Sequence, residues 1–265
     1  MTDTFELATY GMWISKGGAL LSETRILLEA WEPGETAAAL ARRVISTDLL
    51  GRSTAQRARD IVTRVFGPRY LSPTDAPARH LKRIIAGNAP RQLYTDLLLL
   101  YTAQRDHLVR DFTVMKYWPA VRQGQLVLSV QQLLDFLWEA ERDGRIRTPW
   151  SDVVKPKLAR GVFVALADFG LVRSYKPGKH EVQHYSPADG TLVYLAYLLR
   201  GVGVTDSFLA QHPSWALFGL QPVDVLNRLD ALSSHGWFIL QRAGDVVRIS
   251  WQYEKLEEVV DALSR

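Results

Sequence analysis

The sequence predicts a mainly α fold: a helical N-terminal domain with a helix-turn-helix-like unit, then a C-terminal domain with winged-helix-like elements and short β-hairpins. Three observations predict it. Apolar residues recur at helical spacing, beginning with Leu20, Leu21, Thr24, Leu27, Leu28 and Trp31. Strand-like segments are short and turned by glycine, as at Lys176-Pro177-Gly178-Lys179 and Ala243-Gly244-Asp245. Positive charge is concentrated: Arg42 to Arg91 holds eleven Lys or Arg against three acids, a surplus of eight in a chain that nets only +4.

The elements follow in order. Gly17-Gly18 opens the first helix and Pro33-Gly34 stops it. An Ala-rich helix over about Glu35–Ile45 turns Leu40, Ala41, Val44 and Ile45 inward, and Ser46–Gly51 is a turn. Ser53 is the expected N-cap of the next helix, with Gln56 at capping-box spacing. Its apolar stripe is Ala55, Ala58, Ile61, Val62, Val65 and Phe66; Gln56, Arg57, Asp60 and Arg64 point the other way. Gly67-Pro68 is the expected stop. Two short helices around a tight turn, the second basic on its open face, outline a helix-turn-helix unit.

Helices are expected over about Ala76–Ala86, Ala89–Thr102 and Asp106–Tyr117, the last ended by Trp118-Pro119. Val121–Leu128 is the expected boundary, giving domains 1–120 and 121–265. Ser129–Asp143 reads as a helix with Leu133, Leu134, Leu137 and Trp138 inward. Ser151–Phe169 is helical if Pro156 lies in its first turn, where a missing N–H is harmless, with Gly170 just past its end. Leu171–Tyr175 and Glu181–Tyr185 form a hairpin. Later come a helix at about Gln221–Ser234, strands Trp237–Gln241 and Val246–Trp251, and a closing helix over Tyr253–Leu263.

Composition excludes several classes. With no cysteine, disulfides and Cys-type metal sites are ruled out. Met1–Glu6 lacks the basic and apolar regions of a signal peptide. The apolar runs Leu97–Tyr101 and Leu192–Leu199 fall well short of the ~20 residues that span a bilayer. The expectation is a cytoplasmic monomer without a cofactor.

Clustered positive charge on a regular element is the footprint of phosphate binding. The candidate contacts in the first cluster are Arg42, Arg43, Arg52, Ser53, Arg57, Arg59, Arg64, Arg69, Lys82 and Arg83. Asp60 is the one acid on the helix, where a neutral surface helix would interleave Glu with Arg. A second stretch, Arg142 to Lys179, adds Lys155, Lys157 and Arg160 at a helix start and Lys176 and Lys179 at the hairpin tip. Solvated surface charge is the plain alternative for both. His180-Glu181-Val182-Gln183-His184 matches the zinc-hydrolase pattern in letters, but that chemistry needs both histidines on one helix face. Pro177-Gly178 before it and Pro187 after it leave about two helical turns at most, and the segment reads as a strand with His180 and His184 well separated.

The residues then suggest a family. Gly17-Gly18-Ala19-Leu20-Leu21-Ser22-Glu23-Thr24, followed by Arg52-Ser53-Thr54 and the arginine-rich helix, resembles the start of BrxA, an accessory protein of BREX phage-defence systems. Asp111-Phe112-Thr113-Val114-Met115-Lys116-Tyr117-Trp118 and Lys155–Val172 are similar to later segments of that family, and the likeness covers about residues 12–190. The resemblance implies a mostly helical, non-enzymatic protein that binds double-stranded DNA; it assigns no contact residues. Two other functions stand beside it: an adaptor whose basic face meets an acidic protein, and the zinc hydrolase using His180, Glu181 and His184.

Overall fold

The computed structural model describes residues 9–16, 18–51, 53–244 and 246–265. These residues form two compact units. One holds the described residues up to Pro77 together with Leu98–Tyr185; the other holds Ala78–Leu97 with Ser186–Arg265. The expected boundary near residue 120 lies inside the first unit, and no single cut separates the two.

The first unit begins with a 3-10 turn, Trp13–Lys16, and then α1 (Leu21–Ala30) and α2 (Ala37–Ser46). Thr24, Leu27 and Leu28 are buried on α1, Leu40, Ala41 and Val44 on α2, as the spacing predicts. The Thr36 hydroxyl accepts from Ala39 N at 3.2 Å and caps α2. The turn after α2 delivers α3 (Ala55–Asp60). Its cap is Thr54, whose hydroxyl accepts from Arg57 N at 3.2 Å, one residue later than the expected Ser53.

The helix does not stop at Gly67-Pro68. It widens into a π-helical stretch, Ile61–Leu71, that carries Pro68 inside it. Proline breaks an α-helix by withholding a donor and crowding the preceding turn. Here the wider winding takes the chain past it, and Ile61, Val62, Val65, Phe66 and Tyr70 are buried along the stretch.

The first unit continues through the second half of α5, then α6, a π-helical turn (Thr113–Tyr117) and α7. These follow α4 (Ala76–Ala86), and their ranges are Arg91–Arg105, His107–Phe112 and Trp118–Arg122. Pro119 falls in the first turn of α7, so it starts that helix and does not end the one before.

Then come β1 (Val127–Ser129), α8 (Val130–Arg142), α9 (Val154–Asp168), β2 (Val172–Lys176) and β3 (Lys179–Val182). The capping box of α8 pairs Ser129 with Gln132. Pro156 lies in the first turn of α9, and Gly170, at φ +77°, turns the chain out of it. The three strands form one antiparallel sheet in the order β1-β3-β2, with Leu128 opposite His180 and Arg173 opposite Glu181.

The second unit is built on α10 (Asp189–Gly201), buried along most of its length. Asp96, itself buried, accepts from Ala188 N and the Thr191 hydroxyl at 2.9 and 2.7 Å and so holds the start of α10. Then follow α11 (Asp206–Leu209), a 3-10 turn (Pro213–Phe218), α12 (Pro222–Ser233), the β4 (Phe238–Ala243) and β5 (Val246–Trp251) hairpin, and α13 (Leu256–Leu263). Ser233 donates to Phe238 O and accepts from Leu240 N, and Asp206 accepts from Ile249 N.

One buried ionisable pair in the first unit sets a pH dependence. Asp106 lies at the start of α6 beside the buried guanidinium of Arg69. Burial pushes its carboxyl up to about 6, against the pull of Arg69 and backbone N–H groups. Between pH about 4 and 6 the folded protein holds a proton that the unfolded chain has released, so this group's contribution to stability falls as pH rises through that window. The total is about 3 kcal/mol at most. Denaturant unfolding from pH 4 to 7 should show this slope, and Asp106→Asn should flatten it.

Candidate nucleic-acid interface

The structure sorts the expected contacts by burial and partner. On α3 and the stretch after it, Arg57, Arg59 and Arg64 are exposed. Arg64 pairs with Asp60 at 3.3 Å and lies over the Trp13 ring, 5.4 Å from its centre. Arg42 is exposed on α2 and shares a shallow trough with Arg59. Ser53 is half-buried beside them, and Arg52 lies outside the described residues.

Arg43 and Arg69 belong elsewhere. Arg43 is clamped by Glu35, at 2.5 and 3.1 Å, and donates to Ala30 O at 2.9 Å, tying α2 to the end of α1. Arg69 is 5% exposed and donates to Ala19 O at 3.3 Å. It holds the fold from inside and presents nothing to a ligand on the surface. Lys82 and Arg83 sit on α4 in the second unit, so the basic run from Arg42 to Arg91 is divided between the two units. Arg83 pairs with Asp261 at 2.7 Å.

In the second stretch, α9 separates its cations cleanly. Lys157 and Arg160 are exposed and, with Val164 and Ala167, make a stripe at spacings of three and four. Lys155 points the other way. It is 3% exposed, pairs with Glu141 at 2.6 Å and lies 3.2 Å from the centre of the Trp138 ring. Trp138 was expected inward; it stays about half exposed because its ring covers this ammonium. Lys176 and Lys179 flank the two-residue turn of the β2–β3 hairpin, both exposed.

The 3-10 turn brings the two basic segments into one neighbourhood. Trp13 carries Arg64, and the next residue's carbonyl, Ile14 O, sits 2.6 Å from where a Cβ on Gly161 would lie. Ala19 N donates to the Asp168 carboxylate at 3.1 Å, closing the same seam at the far end of α9.

Two surface residues escaped the sequence reading. Tyr175 is half exposed on β2, with Lys176 Nζ 5.0 Å from its ring. Arg105, the last residue of α5, is exposed, while its sequence neighbour Asp106 is buried.

The zinc-hydrolase pattern does not assemble. His180 lies in β3, stacked on Phe163 with ring centres 4.1 Å apart, and burial lowers its pKa. Glu181 holds Arg173, and His184 lies past the strand. Among the described residues no group of three or more His, Asp or Glu could hold a metal ion.

The fold is that of a mainly α protein carrying small antiparallel sheets. A solved structure of an uncharacterized protein from Magnetospirillum magneticum shares it, with a TM-score of 0.56 over 80% of this chain and 99% of that one, at 18% identity. The family model for BrxA matches residues 8–196. The chain belongs to the BrxA family, which places it among the accessory proteins of BREX systems and outside the known enzyme families. No curated protein matches it. No described helix is long and apolar enough to cross a membrane.

The division of lysines on α9 is testable by stability alone. Lys155→Ala should lower unfolding free energy by about 3 kcal/mol, because it leaves Glu141 without its buried partner. Lys157→Ala should change it by less than about 0.5 kcal/mol. Parallel urea titrations would separate them.

Proposed function

We propose that this protein binds double-stranded DNA through the exposed stripe of α9 and the tip of the β2–β3 hairpin, as a non-enzymatic, cytoplasmic accessory protein of a BREX defence system. The observation that carries this reading is the order β1-α8-α9-β2-β3 with the sheet arranged β1-β3-β2. That order supports a winged-helix reading, in which the second helix enters the major groove and the hairpin lies along the backbone. Lys157 and Arg160 stand on that helix, and Lys176 and Lys179 on that wing. Arg42, Arg57, Arg59 and Arg64 supply a second set of cations in the same unit. Cations without base-reading partners favour phosphate contacts and weak sequence preference.

Fluorescence anisotropy with a short duplex tests the reading. With about six phosphate contacts, affinity should fall roughly a thousandfold between 50 and 200 mM salt. The double variant Lys157→Ala/Arg160→Ala should weaken binding at least about tenfold with an unchanged melt. Absence of duplex binding at 50 mM salt sinks the proposal.

A second reading, as an adaptor, has its own observation. The second unit repeats the helix-helix-hairpin order in α11, α12, β4 and β5, but α12 exposes Asp224 and Asp230, and its Arg228 is bound to Asp189 at 2.9 Å. Such a face repels phosphate and suits a basic protein surface. Co-purification of another defence protein that survives nuclease treatment and is lost in Asp224→Lys/Asp230→Lys would support it; co-purification unaffected by the reversal would remove it.

A further inference from the structure

The winged-helix reading leaves one sizeable cavity of the first unit without a role. It has a volume of about 760 Å³ and opens between the start of α2, the π-helical stretch, residues 72–75 and the end of α5. That lies within the ~300–1,000 Å³ of small-molecule sites. Inorganic phosphate would leave most of it to water.

Four charged side chains line it: Glu35, Arg69, Asp75 and Arg105. Three are engaged within the fold. Glu35 holds Arg43, Asp75 accepts from Gly34 N at 3.1 Å, and Arg69 is buried against Ala19 O. Arg105 is exposed, and among the described residues no carboxylate pairs with it. Of the two guanidiniums in the lining, Arg105 is therefore the one not engaged within the fold, and a guanidinium is suited to bidentate recognition of phosphate.

The surroundings strengthen that sign. Thr63 lines both this cavity and the trough that holds Arg42 and Arg59. Arg105 also lines the small cleft that holds Trp13 and Arg64. Cations thus flank the cavity on both sides and raise the local concentration of phosphate-bearing solutes. The remaining wall is mixed. Ala37, Pro68 and Leu71 give it apolar surface, and Gln104 and Thr63 give it hydrogen-bonding groups.

We propose that this cavity binds a nucleoside monophosphate, with Arg105 on the phosphate and the Ala37, Pro68 and Leu71 wall against the base. The nucleotide is either free in solution or the 5′-terminal unit of a DNA strand; the phosphate and base are common to both. This assignment does not depend on the α9 face.

Isothermal titration with dAMP tests it. The expected result is one site per chain, with adenosine binding about tenfold or more weaker, as loss of a charge-assisted contact implies. Arg105→Ala should weaken dAMP by a similar factor without moving the melt, and Thr74→Trp, which narrows the mouth while keeping Arg105, should weaken it too. The Lys157→Ala/Arg160→Ala variant should keep dAMP while binding duplex at least about tenfold more weakly, so the two readings fail separately. Displacement of dAMP by a 5′-phosphorylated duplex but not by its 5′-hydroxyl twin assigns the strand terminus; displacement by neither assigns the free nucleotide. Absence of dAMP binding, binding undiminished in either cavity variant, or equal displacement by both duplexes overturns the proposal.

Discussion

The first unit depends on the place where the backbone of Ile14 lies against Gly161. A Cβ at position 161 would sit 2.6 Å from the Ile14 carbonyl oxygen and 3.1 Å from Ser15 Cα, so only glycine lets the 3-10 turn come down onto α9. Gly18, at φ +74°, makes a second such approach: a Cβ there would meet Val164 Cγ1 at 2.6 Å. Between these two points Ile14 and Ala19 are buried and Ala19 N reaches Asp168. The seam covers one side of α9 while Leu158, Val162 and Leu166 fill another. What remains open is the Lys157–Arg160–Val164–Ala167 stripe. The surface offered to a partner is thus defined by what the N-terminal segment covers.

The cations of this protein do two physically different jobs. Arg69 and Lys155 lie where water is scarce, one held by a carbonyl and the other by a carboxylate, and removing a partner there strands a charge; Arg43 is half-exposed but tied down by Glu35 and Ala30 O. Arg57, Arg59, Lys157 and Arg160 stand in water, where an ion pair is worth little and the side chain is available to something else. Net charge counts all of them equally, and so overstates the basic surface.

Much of the helical scaffold was legible because its signals are local. The start of α8 at Ser129, the Pro177-Gly178 turn, the place of Pro156 and the stop at Gly170 each depend on residues within a turn or two. The cap at Thr54 was missed by one position because Ser53 and Thr54 are both competent and only the path of the turn chooses between them. The π-helical passage through Gly67-Pro68 was missed because both residues end ordinary helices. Arg69 and Lys155 looked like surface charge because their partners are far away in sequence: Ala19 is fifty residues from Arg69. The division into units was illegible for the same reason, since Ala78–Leu97 joins a unit whose other part begins at Ser186.

The β4–β5 hairpin carries a consequence for how the second unit meets other proteins. A two-stranded ribbon normally exposes a row of unpaired backbone groups on each side, an invitation to a third strand. At the Leu240–Ile249 pair both sides are already taken: the Ser233 hydroxyl bonds Phe238 O and Leu240 N on one, and the Asp206 carboxylate bonds Ile249 N on the other. Strand addition, the commonest way for an extended peptide to join a sheet, would have to displace a side chain at whichever edge it approached. The middle of the ribbon is thus blunted against edge-to-edge pairing on both sides.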